Sequence, residues 1–141
     1  MSKVPAQIDA RGARFSALIT AIVLSVALLT QSPALILWQA AVFAIGAFKG
    51  PQFTPYAYIY KFAVKPFLKG AVPTEDVRPP QFAQSVGLIF ALVAIGGALS
   101  GVDAIFTVAV AFALGAAFLN AAFNFCLGCE IYLLLLRALS K

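Results

Sequence analysis

The sequence predicts an all-α integral membrane protein, a four-helix bundle that crosses the bilayer four times. Of its 141 residues, 62% are hydrophobic and 11% are charged, whereas about 25% of the residues in an average soluble domain are charged. The mean hydropathy is +0.97. A soluble domain of this length has too little interior to bury so much apolar surface, so the composition strongly disfavours a water-soluble fold.

Two long uncharged stretches define the predicted spans. The 34 residues between Arg14 and Lys49 carry no charge, and as one helix they would extend about 51 Å, against a hydrocarbon core of about 30 Å. The chain is therefore expected to fold back at Gln31-Ser32-Pro33. A second uncharged stretch ends before Asp103, and another apolar stretch follows. The predicted spans are residues 15–30, 34–48, 81–99 and 104–123, within a single domain of residues 1–141 that has a loop at 49–80.

All ten Lys and Arg residues fall on one side of this arrangement. They are Lys3, Arg11 and Arg14 before span one, Lys49, Lys61, Lys65, Lys69 and Arg78 between spans two and three, and Arg137 and Lys141 after span four. Because Lys and Arg mark the cytoplasmic side, we expect an inner (plasma) membrane protein with both termini in the cytoplasm. Membrane topology and contact with anionic lipid explain the net charge of +5, so no nucleic-acid partner is expected.

The loop between spans two and three is expected to contain a short amphipathic helix in the membrane interface. Aromatic and apolar residues recur there at helical spacing, namely Phe53, Tyr56, Tyr60, Val64 and Phe67, and lysines recur every four residues on a neighbouring face, namely Lys61, Lys65 and Lys69. Pro55 and Pro66 limit this helix to about three turns. An aromatic face beside a lysine face is typical of an interfacial helix. Tyr56, Tyr60 and the three lysines are therefore predicted to bind lipid headgroups or a partner protein.

The sequence leaves open how span four ends. Residues 103–137 could form one helix of about 50 Å. Alternatively, the span could break near Gly128, whose low helix propensity permits a distortion, and continue as a short C-terminal helix.

The only two cysteines of the chain are the candidate catalytic residues. Cys126 and Cys129 are three positions apart, a spacing found in pairs that form disulfides, transfer electrons or sulfur, or bind metal. A cytoplasm-facing pair lies in a reducing compartment, so we expect the dithiol as the resting state. The chain has no histidine, and a structural zinc site requires four ligands, usually Cys or His. We therefore expect neither a metal nor a cofactor, unless a Cys₄ site is shared with another chain.

Five further side chains are predicted to surround the cysteine pair. Arg11, Arg14 and Arg78 are expected at the same membrane face, where their charges would stabilise a thiolate or an anionic sulfur compound. Asn120 would donate a hydrogen bond to the thiolate. Glu130 would give up or accept a proton, since an ionisable residue at the membrane is a functional candidate.

Three segments resemble the signature blocks of a bacterial membrane family, domain of unknown function 4395. They are residues 9–15 (DARGARF), 78–84 (RPPQFAQ) and 120–132 (NAAFNFCLGCEIY), in which FCLGCE is the most specific. Genes of this family often lie beside genes for thioredoxin-like proteins and rhodanese-type sulfurtransferases. The resemblance therefore implies thiol or sulfur chemistry at the membrane, with a thioredoxin-like or rhodanese-like partner. By the predicted topology, all three blocks converge at the cytoplasmic rim.

Two functions remain open at this point, and with them the question whether the protein is an enzyme. The first is thiol-disulfide exchange or a persulfide relay, with Cys126 as the nucleophile and Cys129 as the resolving thiol. Coupling of the pair to a quinone is disfavoured, because quinone-coupled CxxC sites typically face the oxidising side of the membrane. The second is a non-catalytic role as a small accessory subunit of a larger membrane complex.

Overall fold

The computed structural model describes residues 7–67, 74–123 and 125–139. Within these ranges the chain forms six α-helices and one pair of three-residue strands. The helices are α1 (Ala10–Thr30), α2 (Pro33–Phe48), α3 (Pro55–Ile59), α4 (Arg78–Leu99), α5 (Asp103–Phe123) and α6 (Leu127–Leu139), and the antiparallel strands are β1 (Gln7–Asp9) and β2 (Thr74–Asp76). The predicted all-α class is confirmed. Lys69 lies outside the described residues.

Three of the helices, α1, α4 and α5, are long and apolar enough to cross a membrane. The apolar helix α2 has 16 residues and is shorter. The chain folds back between α1 and α2 at the predicted position, where Gln31 adopts a left-handed conformation with φ 52° and Ser32 caps α2 by accepting from the amide of Leu35. Gly101, with φ 78°, makes the corresponding turn between α4 and α5.

The apolar helices α1, α2, α4 and α5 pack most extensively in the pairs α2–α4, α4–α5 and α5–α1. Their shared core lies toward the end that carries the two tight turns. Its fully buried members include Leu24 and Ala27 of α1, Ile36 of α2 and Ala94 of α4. The small members of this core, such as Ala27 and Ala94, let the helix backbones approach closely, which is how helices associate where lipid is as apolar as the protein.

The predicted short helix between spans two and three is present, but it does not lie wholly on the surface. A 3₁₀ turn (Pro51–Phe53), α3, a π-helical stretch (Tyr60–Val64) and a second 3₁₀ turn (Lys65–Phe67) follow one another. The hydroxyl of Tyr56 donates to Gln39 Oε1 at 2.8 Å and accepts from Trp38 Nε1 at 2.9 Å. Gln39 lies nine residues before the end of α2, about 13 Å along the helix. The start of the segment therefore reaches into the bundle.

The two tyrosines of this segment differ from the sequence-based expectation. Tyr56 and Tyr60 are 3% and 4% exposed, so their side chains pack inside the protein and do not form a face toward lipid or a partner. A buried phenol requires a polar partner, and each of the two hydroxyls has one inside the protein, so burial of both rings is permitted. The exposed face instead carries Lys61, Lys65 and Phe62, with the Lys61 ammonium 5.6 Å from the centre of the Phe62 ring.

Candidate functional site

The three sequence blocks meet at the end of the bundle opposite the two tight turns. The pairing of β1 with β2 places the residues before Arg11 beside those before Arg78. The Arg14 guanidinium donates to the carbonyl oxygens of Ala121 and Ala122, at 3.1 and 3.3 Å. The predicted convergence of the blocks is therefore present in the structure.

The cysteine pair lies at the beginning of a helix. α5 ends at Phe123 and α6 begins at Leu127, so the fourth apolar stretch is broken and the short C-terminal helix exists. Cys126 occupies the position before α6, and its carbonyl accepts the amide of Glu130 at 3.0 Å. Its sulfur accepts the amide of Cys129 at 3.1 Å. A side chain that accepts from the third residue of a helix is acting as the helix cap.

The two sulfurs are joined in a disulfide, with an S–S distance of 2.05 Å and a Cα–Cα distance of 5.1 Å. The structure thus holds the oxidised form of the pair, whereas the sequence predicted the dithiol at rest. The reduced resting state stays a prediction for a protein in a reducing compartment.

A close contact between α6 and α4 positions the cysteine pair. A Cβ atom at Gly128 would lie 2.6 Å from the Cβ and 2.8 Å from the Cα of Ala83, so only glycine fits between the cysteines at this distance. One turn further on, the Tyr132 ring packs against Phe82 with ring centres 5.5 Å apart. The second and third sequence blocks therefore fix the start of α6 against α4.

Both cysteines line a cavity of about 530 Å³. Most of its walls come from α1, α4, α5 and the first turns of α6, and Phe43 of α2, Pro51, Gln52 and Ala57 complete the lining. Along α1 the lining extends from Asp9 to Thr20, about 16 Å at the rise of an α-helix. Two other predicted site residues, Asn120 and Glu130, also line it. The structure thus brings four of the predicted site residues to one space that extends from the rim into the bundle.

The predicted arginines do not line this cavity. Arg14 binds the last carbonyls of α5, where a cation is favourable because the helix dipole is negative at its C-terminus. The Arg11 Nε lies 3.6 Å from Asp9 Oδ1. Arg78 is the first residue of α4. The described ionisable side chains in the lining other than the cysteines are Asp9 and Glu130, so the lining itself carries two carboxylates and none of the three arginines.

Asp9 joins the first block to the segment between α2 and α4. Its carboxylate caps α1 by accepting from the Arg11 amide at 2.9 Å, and it also accepts from the Tyr60 hydroxyl at 2.8 Å. Burial acts to raise the pKa of Asp9, but the hydrogen bonds from Tyr60 and Arg11 and the Arg11 charge outweigh it, so the pKa lies below 3.8. Asp9 is therefore a stable anion at the rim of the cavity.

Three glutamines at this end escaped the sequence-based reasoning. Gln81 Nε2 donates to the carbonyl of Ala47 near the end of α2, at 2.8 Å. Gln52 and Gln84 line the cavity, and the buried Oε1 of each has no hydrogen-bond partner among the described residues. The available signal was the presence of two amides, Gln81 and Gln84, at the start of an otherwise apolar span, since polar groups in lipid require partners.

No group of three or more His, Cys, Asp or Glu side chains that could hold a metal ion is found in the described ranges. No curated protein and no solved structure matches the chain. One family description does match, "Domain of unknown function (DUF4395)", and it covers residues 8–137. Because the match spans nearly the whole chain, as the three blocks predicted, the protein belongs to the DUF4395 family.

Proposed function

We propose that the protein is a membrane-embedded dithiol protein that exchanges disulfides, or relays sulfur as a persulfide, at the cytoplasmic face of the membrane. The observation that carries the proposal is the position of Cys126 at the start of α6, where its sulfur accepts the amide of Cys129. A thiolate at a helix N-terminus is stabilised by the helix dipole and by the free amides of the first turn.

This position supports the assignment of roles within the pair. Cys126 caps the helix, so its sulfur receives a hydrogen bond that stabilises the thiolate form, and it acts as the nucleophile. Cys129 lies one turn inside α6 and acts as the resolving thiol. Both are partly buried and line the cavity, so a reactant that occupies the cavity reaches either sulfur. Glu130, exposed in the same turn, exchanges protons with solvent.

The exchange reaction balances without an added cofactor. The Cys126 thiolate attacks one sulfur of a partner disulfide, which breaks the partner's S–S bond, releases one partner thiolate and forms a mixed disulfide. The Cys129 thiolate then attacks the Cys126 sulfur and releases the second partner thiolate. The two protons lost by the cysteines are taken up by the two released thiolates. Two electrons pass from the Cys126–Cys129 pair to the partner.

The membrane setting is part of the proposal. We infer that α1, α2, α4 and α5 form a four-helix transmembrane bundle in the inner membrane, with both termini in the cytoplasm. Support comes from the three helices of sufficient length and hydropathy and from the ten Lys and Arg residues, which the predicted topology places on one side. The cavity and the cysteines then face the cytoplasm, where a thioredoxin-like or rhodanese-like partner would bind.

Single-cysteine variants in nanodiscs test the proposal, with reduced thioredoxin as the probe for exchange with the oxidised protein. Cys126→Ser and Cys129→Ser are each expected to abolish turnover. Incubated with an activated thioredoxin disulfide, Cys129→Ser should accumulate a mixed disulfide through Cys126, whereas Cys126→Ser should not. Full exchange in both variants would contradict the proposed roles of the two cysteines. No exchange by the wild-type protein would contradict the proposal and favour the non-catalytic accessory role.

Labelling in intact cells and inverted vesicles tests the orientation separately. After reduction, a membrane-impermeant maleimide is expected to modify Cys126 and Cys129 in inverted vesicles and not in intact cells. Modification only from outside would overturn the cytoplasmic placement, while the exchange assay in nanodiscs would be unaffected.

A further inference from the structure

We propose that the cavity beside the cysteines selects an uncharged, lipid-soluble dithiol or disulfide as the small-molecule reactant, and discriminates against anionic thiols. This inference rests on the proposed exchange function and names the substrate class of the same site. It reverses the expectation, drawn from the arginines in the sequence, of an anionic sulfur compound.

The cavity is large enough for a small molecule and is mostly apolar. Its volume of about 530 Å³ lies within the range of small-molecule sites, about 300–1,000 Å³. Phe43, Phe90 and Phe112 line it together with many alanines and glycines. Phe90 is twelve residues into α4, about 18 Å from the start of that helix. A lipid-soluble molecule therefore finds an apolar space that continues from the sulfurs toward the middle of the bundle.

The charged side chains of the lining are acidic. Asp9 and Glu130 line the cavity, and neither Lys nor Arg occurs among the described lining residues. Arg11 offsets part of the Asp9 charge, but Glu130 lies next to Cys129 in the chain. A carboxylate or sulfur oxyanion that entered would be desolvated among apolar side chains and repelled by these carboxylates.

The lining also contains neutral polar groups. Ser16, Thr20, Gln84 and Asn120 contribute hydroxyls and amides without charge. The buried Gln84 Oε1 accepts no hydrogen bond from any described residue. An unsatisfied buried acceptor is costly, and an amide N–H or hydroxyl on a bound molecule would satisfy it.

The reaction with such a molecule is ordinary disulfide exchange. A neutral dithiol attacks one sulfur of the Cys126–Cys129 disulfide and passes its thiol proton to the cysteine sulfur that is released. Its second thiol then attacks the mixed disulfide, closes a new disulfide within the small molecule and passes its proton to the other cysteine sulfur. The protein gains two protons and two electrons and becomes the dithiol, while the small molecule is oxidised to its cyclic disulfide.

The test compares two dithiol probes that differ at one terminal group. Dihydrolipoamide ends in a neutral amide and dihydrolipoate in a carboxylate, and each is mixed with the oxidised protein in nanodiscs while reduction is followed by thiol labelling. We expect dihydrolipoamide to react about tenfold faster or more, since burial penalises the ionised group. Equal rates for the two probes would overturn the inference.

A pair of matched variants separates selection by the cavity from simple partition of the amide into lipid. Ala116 lines the cavity, whereas Ala111 is exposed on the same helix and does not. Ala116→Leu is expected to bring the rate ratio of the two probes close to that of a free disulfide in the same nanodiscs, and Ala111→Leu is expected to keep the wild-type ratio. An unchanged ratio in Ala116→Leu would overturn the inference.

Glu130→Gln tests the role of charge, and thioredoxin serves as a protein probe for comparison with the two dithiols. Glu130→Gln should increase the rate with dihydrolipoate more than the rate with dihydrolipoamide, because one carboxylate is removed from the lining. If thioredoxin exchanges with the protein but neither the amide preference nor its dependence on Ala116 is found, this inference fails and the proposed function stands. If neither thioredoxin nor either dithiol exchanges with the pair, the proposed function fails as well.

Discussion

The two ends of the helix bundle are built in different ways. Toward the tight turns, the described side chains of Leu24, Ala27, Ile36 and Ala94 are at most 1% exposed and pack in one apolar core. At the opposite end the helices surround a cavity of about 530 Å³. There the helix ends are joined by polar side chains, such as Arg14 on the last carbonyls of α5 and Gln81 near the end of α2.

The difference shows that the helices pack less closely at the end where the candidate site lies. In lipid, helices gain little from burying apolar surface against each other, so close contact and hydrogen bonds hold them together. The turn end uses close contact. The cavity end gives up part of this contact and relies on hydrogen bonds to helix ends, which leaves space beside the sulfurs. Violations of good packing of this kind are expected at functional sites.

The largest effect is expected from Gly128→Ala at the cavity end. The added methyl group would overlap both the Cα and the Cβ of Ala83. Because the backbone at Ala83 cannot move aside as a flexible side chain would, α6 must move. Displacement of reacting groups by about 1 Å costs on the order of 100-fold in rate. We expect the rate of exchange with thioredoxin to fall by about 10-fold to 100-fold, measured with the variant in nanodiscs.

Gly115→Ala is the matched control, because a Cβ atom at Gly115 meets no atom within 4 Å. It should leave the exchange rate unchanged. Equal rates for Gly128→Ala and the wild type would show that the close contact between α6 and α4 does not position the cysteines.

The next effect is expected at the turn end and concerns stability. Leu24 is 1% exposed in the core, so Leu24→Ala leaves a void there. Removal of a buried leucine costs about 2–5 kcal/mol in soluble proteins, and we expect about 2 kcal/mol here because lipid is as apolar as the core. Reversible unfolding in mixed micelles measures the free energy of unfolding.

Leu29→Ala on the same helix is the control, since Leu29 is 85% exposed. Its free energy of unfolding should remain within about 0.5 kcal/mol of the wild type. Similar losses in both variants would mean that the turn end is not the close-packed half of the bundle.

A smaller effect is expected from Arg14→Gln, which removes the charge from the end of α5. Arg14 is exposed, and hydrogen bonds of charged groups to helix-end carbonyls contribute about 1 kcal/mol in such settings. We expect a loss of about 1 kcal/mol in the free energy of unfolding, together with slower exchange, because Ala121 and Ala122 lead directly to the cysteine turn. Arg14→Lys should restore most of the free energy of unfolding and most of the exchange rate. If Arg14→Gln exchanged at the wild-type rate, the contact between Arg14 and the end of α5 would not position the cysteines.

The turn end was the more predictable half of the molecule. Uncharged stretches and the Gln31-Ser32-Pro33 turn signal placed its helices nearly correctly, because helix length in a bilayer and turn chemistry are local properties. The fold class, the three long helices and the break before α6 follow from the same local signals, although the sequence left the last of these open.

The cavity end was predictable only in part. The sequence blocks placed the cysteines, Asn120 and Glu130 together, but the positions of the arginines depend on contacts between residues far apart in sequence. Arg14 reaches carbonyls more than 100 positions away, and no periodicity reports such a partner. The aromatic spacing around Tyr56 predicts a face toward lipid headgroups or a partner protein, whereas the side chains of Tyr56 and Tyr60 are buried. Periodicity gives the face of a helix and not what covers it.

The smallest effect is expected from Tyr60→Phe, which removes one hydroxyl at the cavity end and keeps the ring. The ring packs against Gly12 and lies 5.8 Å from that of Phe15, so the substitution isolates the hydrogen bond to Asp9. Its loss should lower the free energy of unfolding by about 1 kcal/mol or less and raise the pKa of Asp9. Tyr58→Phe, at a residue that is 42% exposed, should change neither.

The difference in unfolding free energy between wild type and Tyr60→Phe should depend on pH. The pKa of Asp9 lies below 3.8 in the folded protein, so its contribution to stability is present above about pH 4 and is lost as the pH falls through the folded pKa. Burial and the bond to Asp9 raise the pKa of Tyr60 above 10.0, so its contribution is present below about pH 10 and is lost as the pH rises through the folded pKa. The difference in unfolding free energy between wild type and Tyr60→Phe should therefore be largest between these limits and shrink at both ends. A difference that stayed constant below pH 4 would show that the hydroxyl contributes through packing, and the cavity end would then resemble the turn end more closely than its hydrogen bonds indicate.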